Sequence, residues 1–322
     1  MPELRLDQLA DRLEPVGVSN VRPLAGGASS LTYAALMGDR RVVVKVAPPG
    51  VAPILHRDVL RQARLIQALA RTAVPVPEVL WEDAGSPPEV PPLFVMSFLE
   101  GTSLEPLFDL DESGAEGDVV AERMRNAART MAGLHSIDPE TLRLGDEPRV
   151  DAAQEIDRWC RLLETVDPDL VPGWAAVAAS LRSSLPEGVG PAVVHGDFRL
   201  GNLLAVGERI NGVIDWEIWS VGDPRVDAGW FLANADPETY QRPTRYISST
   251  PRPAELASVY AAALNQGVPD LGWFQALASF KSAATWSLIV KHNRRRTAPD
   301  AETEAMASAL PHLLDRARQL LR

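Results

Sequence analysis

One stretch limits the possible folds of this chain more than any other: Val193-Val194-His195-Gly196-Asp197-Phe198-Arg199-Leu200-Gly201-Asn202-Leu203-Leu204. An apolar run, Ala192 to Val194, enters a polar loop, and a second run, Leu203 to Val206, leaves it; a third follows from Ile210 to Trp216. Short apolar runs bounded by loop residues read as strands rather than helices. The loop sets the carboxylate of Asp197 and the carboxamide of Asn202 five residues apart, and another carboxylate, Asp215, follows thirteen residues later near the end of a strand.

Phosphoryl transfer uses this combination. One carboxylate accepts or orients the proton of the attacking hydroxyl, while an amide oxygen and a second carboxylate hold magnesium against the phosphates. Oxygen ligands suit a hard cation that keeps several of its waters. Upstream, Val42-Val43-Val44-Lys45-Val46 carries a lysine in an apolar strand. Before it, Ala25-Gly26-Gly27-Ala28-Ser29-Ser30 is a small-residue turn. Such a turn brings backbone N–H groups and hydroxyls close to phosphate, so Gly26, Gly27, Ser29 and Ser30 are candidate nucleotide contacts. The order of parts is that of a kinase.

The chain resembles the aminoglycoside phosphotransferase family, the small-molecule branch of the protein-kinase-like fold, from about Val21 to Leu232. His195-Gly196-Asp197 with Asn202 is similar to that family's H-G-D-x-x-x-x-N loop, and Ile214-Asp215-Trp216-Glu217 to its I-D-W-E metal motif. Gly222-Asp223-Pro224 with Asp227, and Leu134-His135-Ser136-Ile137-Asp138, also resemble family segments. The resemblance implies Asp197 as catalytic base, Asn202 and Asp215 as magnesium ligands, and Lys45 on the α/β-phosphates of ATP. It also implies a hinge, Met96, Ser97, Phe98 and Leu99, meeting the adenine through backbone groups, and a bond from Asp227 to the catalytic loop. ATP or GTP would be selected by hinge backbone geometry.

The remaining pattern agrees with an α+β, bilobal chain. Residues 1–97 read as a β-rich nucleotide lobe with one helix, His56 to Arg71, and residues 98–322 as a mainly helical catalytic and acceptor-binding lobe. Helices are expected over Ala121 to Ser136, Ala152 to Thr165, Trp174 to Ser184, Ala254 to Leu264, Trp273 to Lys291 and Glu302 to Leu321, with a long loop from Asp236 to Pro253.

Composition excludes other classes. The formal charge of −11 repels phosphate backbones and anionic lipid, so neither nucleic acid nor a membrane is an expected partner. Cys160 is the only cysteine, which rules out a disulfide framework. No run reaches the roughly 18 apolar residues of a membrane span, and the first residues lack a signal-peptide pattern, so a cytoplasmic location is expected. His56, His292 and His312 show no metal spacing.

Two features depart from the kinase pattern: the small-residue turn Gly26–Ser30 lacks the full G-x-G-x-x-G of protein kinases, and Lys45 lacks its usual glutamate. The helix position that would carry a glutamate partner for Lys45 holds Gln62, which can accept a hydrogen bond but adds no charge, and Asp58, one turn earlier on the same face, is the other candidate partner. The resemblance implies transfer to a hydroxyl of a small molecule: an aminoglycoside-like compound, an amino alcohol, a sugar or another metabolite. The alternative is a nucleotide-binding pseudokinase with a regulatory role, for which Gln62 is the only support.

Overall fold

The computed structural model describes residues 4–24, 30–108, 114–242 and 244–322. Its strands are β1 (Val18–Pro23), β2 (Leu31–Met37), β3 (Arg40–Val46), β4 (Val79–Asp83), β5 (Leu93–Ser97), β6 (Arg149–Val150), β7 (Ala192–Val194), β8 (Leu203–Val206), β9 (Arg209–Val213) and β10 (Ser220–Gly222). Its helices are α1 (Leu6–Leu13), α2 (Val59–Leu69), α3 (Gly117–His135), α4 (Ala152–Leu163), α5 (Trp174–Ser183), α6 (Arg225–Ala235), α7 (Pro237–Tyr240), α8 (Pro253–Leu264), α9 (Leu271–Arg294), α10 (Ala301–Ala305) and α11 (Leu310–Leu320). The α+β protein-kinase-like class expected from the sequence is the observed one.

Two compact units share these elements. The first comprises the chain up to Ser103 together with Pro139–Asp146 and Asn202–Trp219; the second comprises Leu104–Asp138, Glu147–Gly201 and Ser220–Arg322. The hairpin that follows the His195–Asn202 loop thus groups with the first unit.

The first unit is built on an antiparallel sheet of five strands in the order β1-β2-β3-β5-β4. Valines alternate inward along β3, with Val42, Val44 and Val46 fully buried beside Leu93 and Val95 of β5. Leu9 and Leu13 of α1 join that core, although no helix was expected there. Helix α2 starts at Val59 rather than His56, because Asp58 caps its N-terminus and Leu55–Arg57 forms a separate 3₁₀ turn. The expected strand from Ile210 stops at Val213, since Asp215 adopts a left-handed backbone with φ of 66°.

The second unit packs α4, α5, α9 and α11 around one apolar cluster that includes Ile156, Leu181, Phe280 and Leu313. Helix α9 carries small or apolar residues on most sides and is buried over much of its length, as expected of a helix at the centre of a bundle. The single helix expected over Glu302 to Leu321 is instead α10, a 3₁₀ turn and α11, with Pro311 at the start of α11. The segment expected as loop from Asp236 contains α7, capped by Asp236 itself.

Candidate active site

In the first unit, β3 pairs with β2 and β5 so that Lys45 lies opposite Thr32 and Phe94. Its ammonium is buried and donates to Asp215 Oδ1 at 2.9 Å and to Gln62 Oε1 at 3.4 Å. Asp215 heads the 3₁₀ turn Trp216–Ile218 without capping it, which leaves its carboxylate to the lysine. A left-handed aspartate costs energy, and such strain concentrates at functional positions.

Asp58 does not substitute for the missing glutamate. Its Oδ1 accepts the N–H groups of Leu60 and Arg61, both at 3.0 Å, and its other oxygen lies 3.9 Å from Arg64. An N-cap aspartate is turned toward its own helix end, so it is not free to reach Lys45. Gln62 is the closer partner on α2, and its buried Nε2 has no acceptor among the described residues.

Asn202 is buried, and its backbone carbonyl accepts the N–H of Ile214 at 3.0 Å, tying the end of the catalytic loop to the residue before Asp215. Both side chains offer oxygen donors, which suits magnesium. Among the described residues the buried hydroxyl of Ser30, next to the small-residue turn, has no hydrogen-bond partner. Gly26, Gly27 and Ser29 lie outside the described residues, as do Asp109, Asp111 and Glu112 of an acidic run. Along the hinge, Met96 and Ser97 end β5, while the N–H of Ser97 is donated to Glu78 and that of Phe98 to Arg41. The Arg41 guanidinium covers the Phe98 ring at 3.6 Å, and Leu99 packs close to Gly212. A cavity of about 620 Å³ is bordered by Phe98 and by Leu24 and Ala34 of neighbouring elements.

In the second unit the loop after β7 is held from below by Asp227. This fully buried carboxylate accepts the N–H groups of His195 at 2.6 Å and Gly196 at 2.8 Å. His135 Nε2 lies 3.3 Å from the same carboxylate, and its Nδ1 2.6 Å from the Tyr260 hydroxyl. The carboxylate can only accept, so Nε2 carries the proton and Nδ1 accepts from Tyr260. Burial, with the negative charge of Asp227, raises the Tyr260 hydroxyl far above its usual range. His195 orients the loop too: its Nδ1 accepts the N–H of Asp197 at 3.2 Å.

Asp197 itself receives the indole N–H of Trp230 on Oδ1 at 2.7 Å and Arg199 Nε at 3.2 Å from both oxygens. Glu105 completes the set, accepting Arg199 Nη1 and the N–H of Gly201, each at 2.5 Å. Burial pushes Glu105 up despite the nearby Arg199. Burial also opposes the charge on Arg199, but Asp197 and Glu105 outweigh it and hold the guanidinium charged.

Three of these residues carried little sequence signal, and so did Lys281, whose ammonium lies over the Trp230 ring. Arg199 lay inside the motif with no role attached, Glu105 is remote in the chain, and Trp230 read equally well as core or pocket wall. Lys281 is the only charged residue between Asp270 and Lys291, which marks it as unusual without saying what it meets. Asp223, expected at a helix start, accepts the N–H of Arg225 at 2.9 Å before α6.

Comparison with known proteins bears on family and fold. The family model for the phosphotransferase enzyme (APH) family matches residues 20–277. Acyl-CoA dehydrogenase family member 11 of Gallus gallus is 28% identical over 292 residues, covering 84% of this chain and 36% of that protein. The chain spans 27–36% of the length of the curated relatives it matches. Among solved structures, an aminoglycoside phosphotransferase candidate from Ralstonia eutropha JMP134 is 20% identical, with a TM-score of 0.80 and coverage of 99% and 98% of the two chains. A thermostable mutant of aminoglycoside phosphotransferase APH(4)-Ia, in complex with AMP-PNP and hygromycin B, is 17% identical with a TM-score of 0.63, covering 98% of each chain. Likenesses at this identity establish the fold.

Proposed function

This chain belongs to the phosphotransferase enzyme family, and we propose that it moves the γ-phosphate of ATP to a hydroxyl of a small molecule in a magnesium-dependent reaction. The observation that carries this reading is the bonding of Asp197, a carboxylate on a loop held by Asp227 and aimed by Trp230 and Arg199. Asp197 takes the hydroxyl proton as the oxygen bonds to the γ-phosphorus and the bond to the β-phosphate oxygen breaks, releasing ADP. Positioning and charge neutralisation supply most of the rate in such reactions.

Lys45 would hold the α/β-phosphates, with Ser30 and the turn residues Gly26, Gly27 and Ser29 beside them. Asn202 and Asp215 would hold magnesium, which when bound neutralises phosphate charge. The N–H groups of Ser97 and Phe98 are already engaged, so hinge donation to the base falls to Leu99, with Met96 contributing through its place at the end of β5. In the second unit Phe108, Tyr240 and Trp286 form a cluster, with Tyr240 stacked on Trp286 at 5.2 Å, and could wall the acceptor.

The test is coupled ADP detection with MgATP and a panel of aminoglycosides, amino alcohols, sugars and hydroxylated acyl-CoA thioesters, the last chosen from the names of the curated relatives. Asp197→Asn should lower turnover by about 10²–10⁴, and Asp215→Ala should abolish magnesium-dependent nucleotide binding in calorimetry. Turnover of Asp197→Asn within a few-fold of wild type would remove Asp197 as base. No ADP release with any acceptor, alongside tight MgATP binding, would favour the regulatory pseudokinase.

A further inference from the structure

We propose that Lys281 is a positioning residue for the catalytic loop: its ammonium grips the Gly196 carbonyl and the Trp230 ring together, and through them fixes Asp197. This rests on the reading of Asp197 as the base. Lys281 projects from the middle of α9 and is 5% exposed. Its Nζ donates to the Gly196 carbonyl and sits 3.6 Å from the centroid of Trp230, with the Trp159 ring at 5.5 Å. The peptide joining Gly196 to Asp197 is therefore held at both ends, its carbonyl by Lys281 and its N–H by His195 Nδ1. Gly196 has φ of 84°, a left-handed conformation that leaves this peptide's direction to its hydrogen bonds. The Trp230 ring that the ammonium covers is the one whose N–H meets Asp197 at 2.7 Å. One cation thus touches the peptide that carries Asp197 and the ring whose N–H meets its carboxylate.

Packing alone does not call for a charge here. A methionine would fill similar space without the desolvation penalty, and buried ionic groups are often replaceable by apolar ones without loss of stability. The charged groups acting on Lys281 are Asp197 of the loop, Glu155 and Arg158 of α4 and Asp227 of α6. Burial pushes the ammonium down to about 8, against the pull of Asp197 and Glu155. Above that pH the neutral amine loses most of its hold on a ring face, since the attraction there is that of a cation for a quadrupole.

The experiment compares wild type, Lys281→Met and Lys281→Arg in two ways. The first is ADP release from MgATP across pH, with an acceptor from the panel. The second, without acceptor, is the ¹⁵N indole N–H resonance of Trp230, assigned with Trp230→Phe. Lys281→Met should keep or raise the melting temperature, yet lower kcat by roughly ten- to a hundredfold with KM for MgATP within about twofold. It should also lose the alkaline fall in activity near pH 8 and shift the Trp230 resonance, whereas Lys281→Arg restores part of kcat. Wild-type kcat with an unmoved Trp230 resonance in folded Lys281→Met overturns the proposal. If Lys281→Met does not fold, the wild-type Trp230 resonance decides: a midpoint near pH 8 supports the clamp, and a flat profile from pH 7 to 9 overturns it. Absence of ADP release from wild type would instead count against the assigned reaction, and the resonance would still decide the clamp.

Discussion

Gln62→Glu should tighten magnesium-dependent nucleotide binding about tenfold. In the wild-type chain Lys45 has one charged partner, Asp215 at 2.9 Å, and one neutral partner, Gln62 at 3.4 Å. At an effective dielectric constant of about 20, a charge pair at 2.9 Å attracts by roughly 6 kcal/mol and one at 3.4 Å by roughly 5 kcal/mol. A carboxylate at position 62 would therefore compete with Asp215 for the ammonium on nearly equal terms and release Asp215 for the cation. A carboxylate there adds a charge pair where Gln62 offers only a dipole, and a gain of about 1.4 kcal/mol is tenfold in affinity. The new carboxylate is costly to bury, since Gln62 is 1% exposed. Part of that is offset because the substitution removes the unpaired Nε2 donor, itself a penalty of about 1–3 kcal/mol. Calorimetric titration with AMP-PNP, with and without magnesium, measures the effect, and Gln62→Leu serves as the control without a polar group. The gain should vanish in EDTA, where a second carboxylate only repels the phosphates. Binding of Mg-AMP-PNP to Gln62→Glu no tighter than wild type, while Lys45→Met loses it, would refute the reasoning.

Other substitutions have equally definite consequences. Asp58→Ala should cost about 1 kcal/mol of stability through the lost cap, a melting-temperature drop of about 2–4 °C, and leave the KM for ATP unchanged. Asp227→Ala strips the acceptor from the N–H groups of His195 and Gly196, so urea denaturation should report a loss of about 2–6 kcal/mol at 1–3 kcal/mol per orphaned donor. Lys281 ordinarily titrates at 10.5 and in the folded chain at about 8. Between those values the unfolded chain holds a proton that the folded chain has released, so stability rises with pH across that window by up to about 3 kcal/mol. Below about pH 8 both states are protonated and this contribution is flat, and Lys281→Met should remove the rise in denaturation curves taken from pH 8 to 10. Cys160 is buried and its thiol is pushed up by that burial, so the native protein should resist iodoacetamide at pH 7.5 and react once unfolded.

The parts legible in the chain are those whose chemistry depends on local order. Asp197, Asn202 and Asp215 lie within nineteen positions of one another, and the apolar runs around them fix which are on loops and which follow strands. Val42, Val44 and Val46 alternate as a strand must, and that alternation places Lys45 on the opposite face. Helix α9 was visible as a long apolar segment, yet its small residues on every side gave no indication of its neighbours. Helix α1 was missed because eight residues with three charges carry little apolar signal until Leu9 and Leu13 meet the sheet.

The partnerships came from contacts between distant positions. Asp58 and Gln62 are four positions apart, and spacing alone left both as candidate partners of Lys45. The helix start made the choice instead, because free N–H groups at the first turn bind the nearest carboxylate. Glu105 reaches Arg199 across 94 positions, Trp230 reaches Asp197 across 33, and Lys281 reaches Gly196 across 85. Side-chain periodicity describes which face a residue occupies on its own element, and it contains no information about what a second element brings to that face. The chemistry proposed for this chain is therefore written in a short, ordered set of residues, while the groups that contact those residues from afar are supplied by packing.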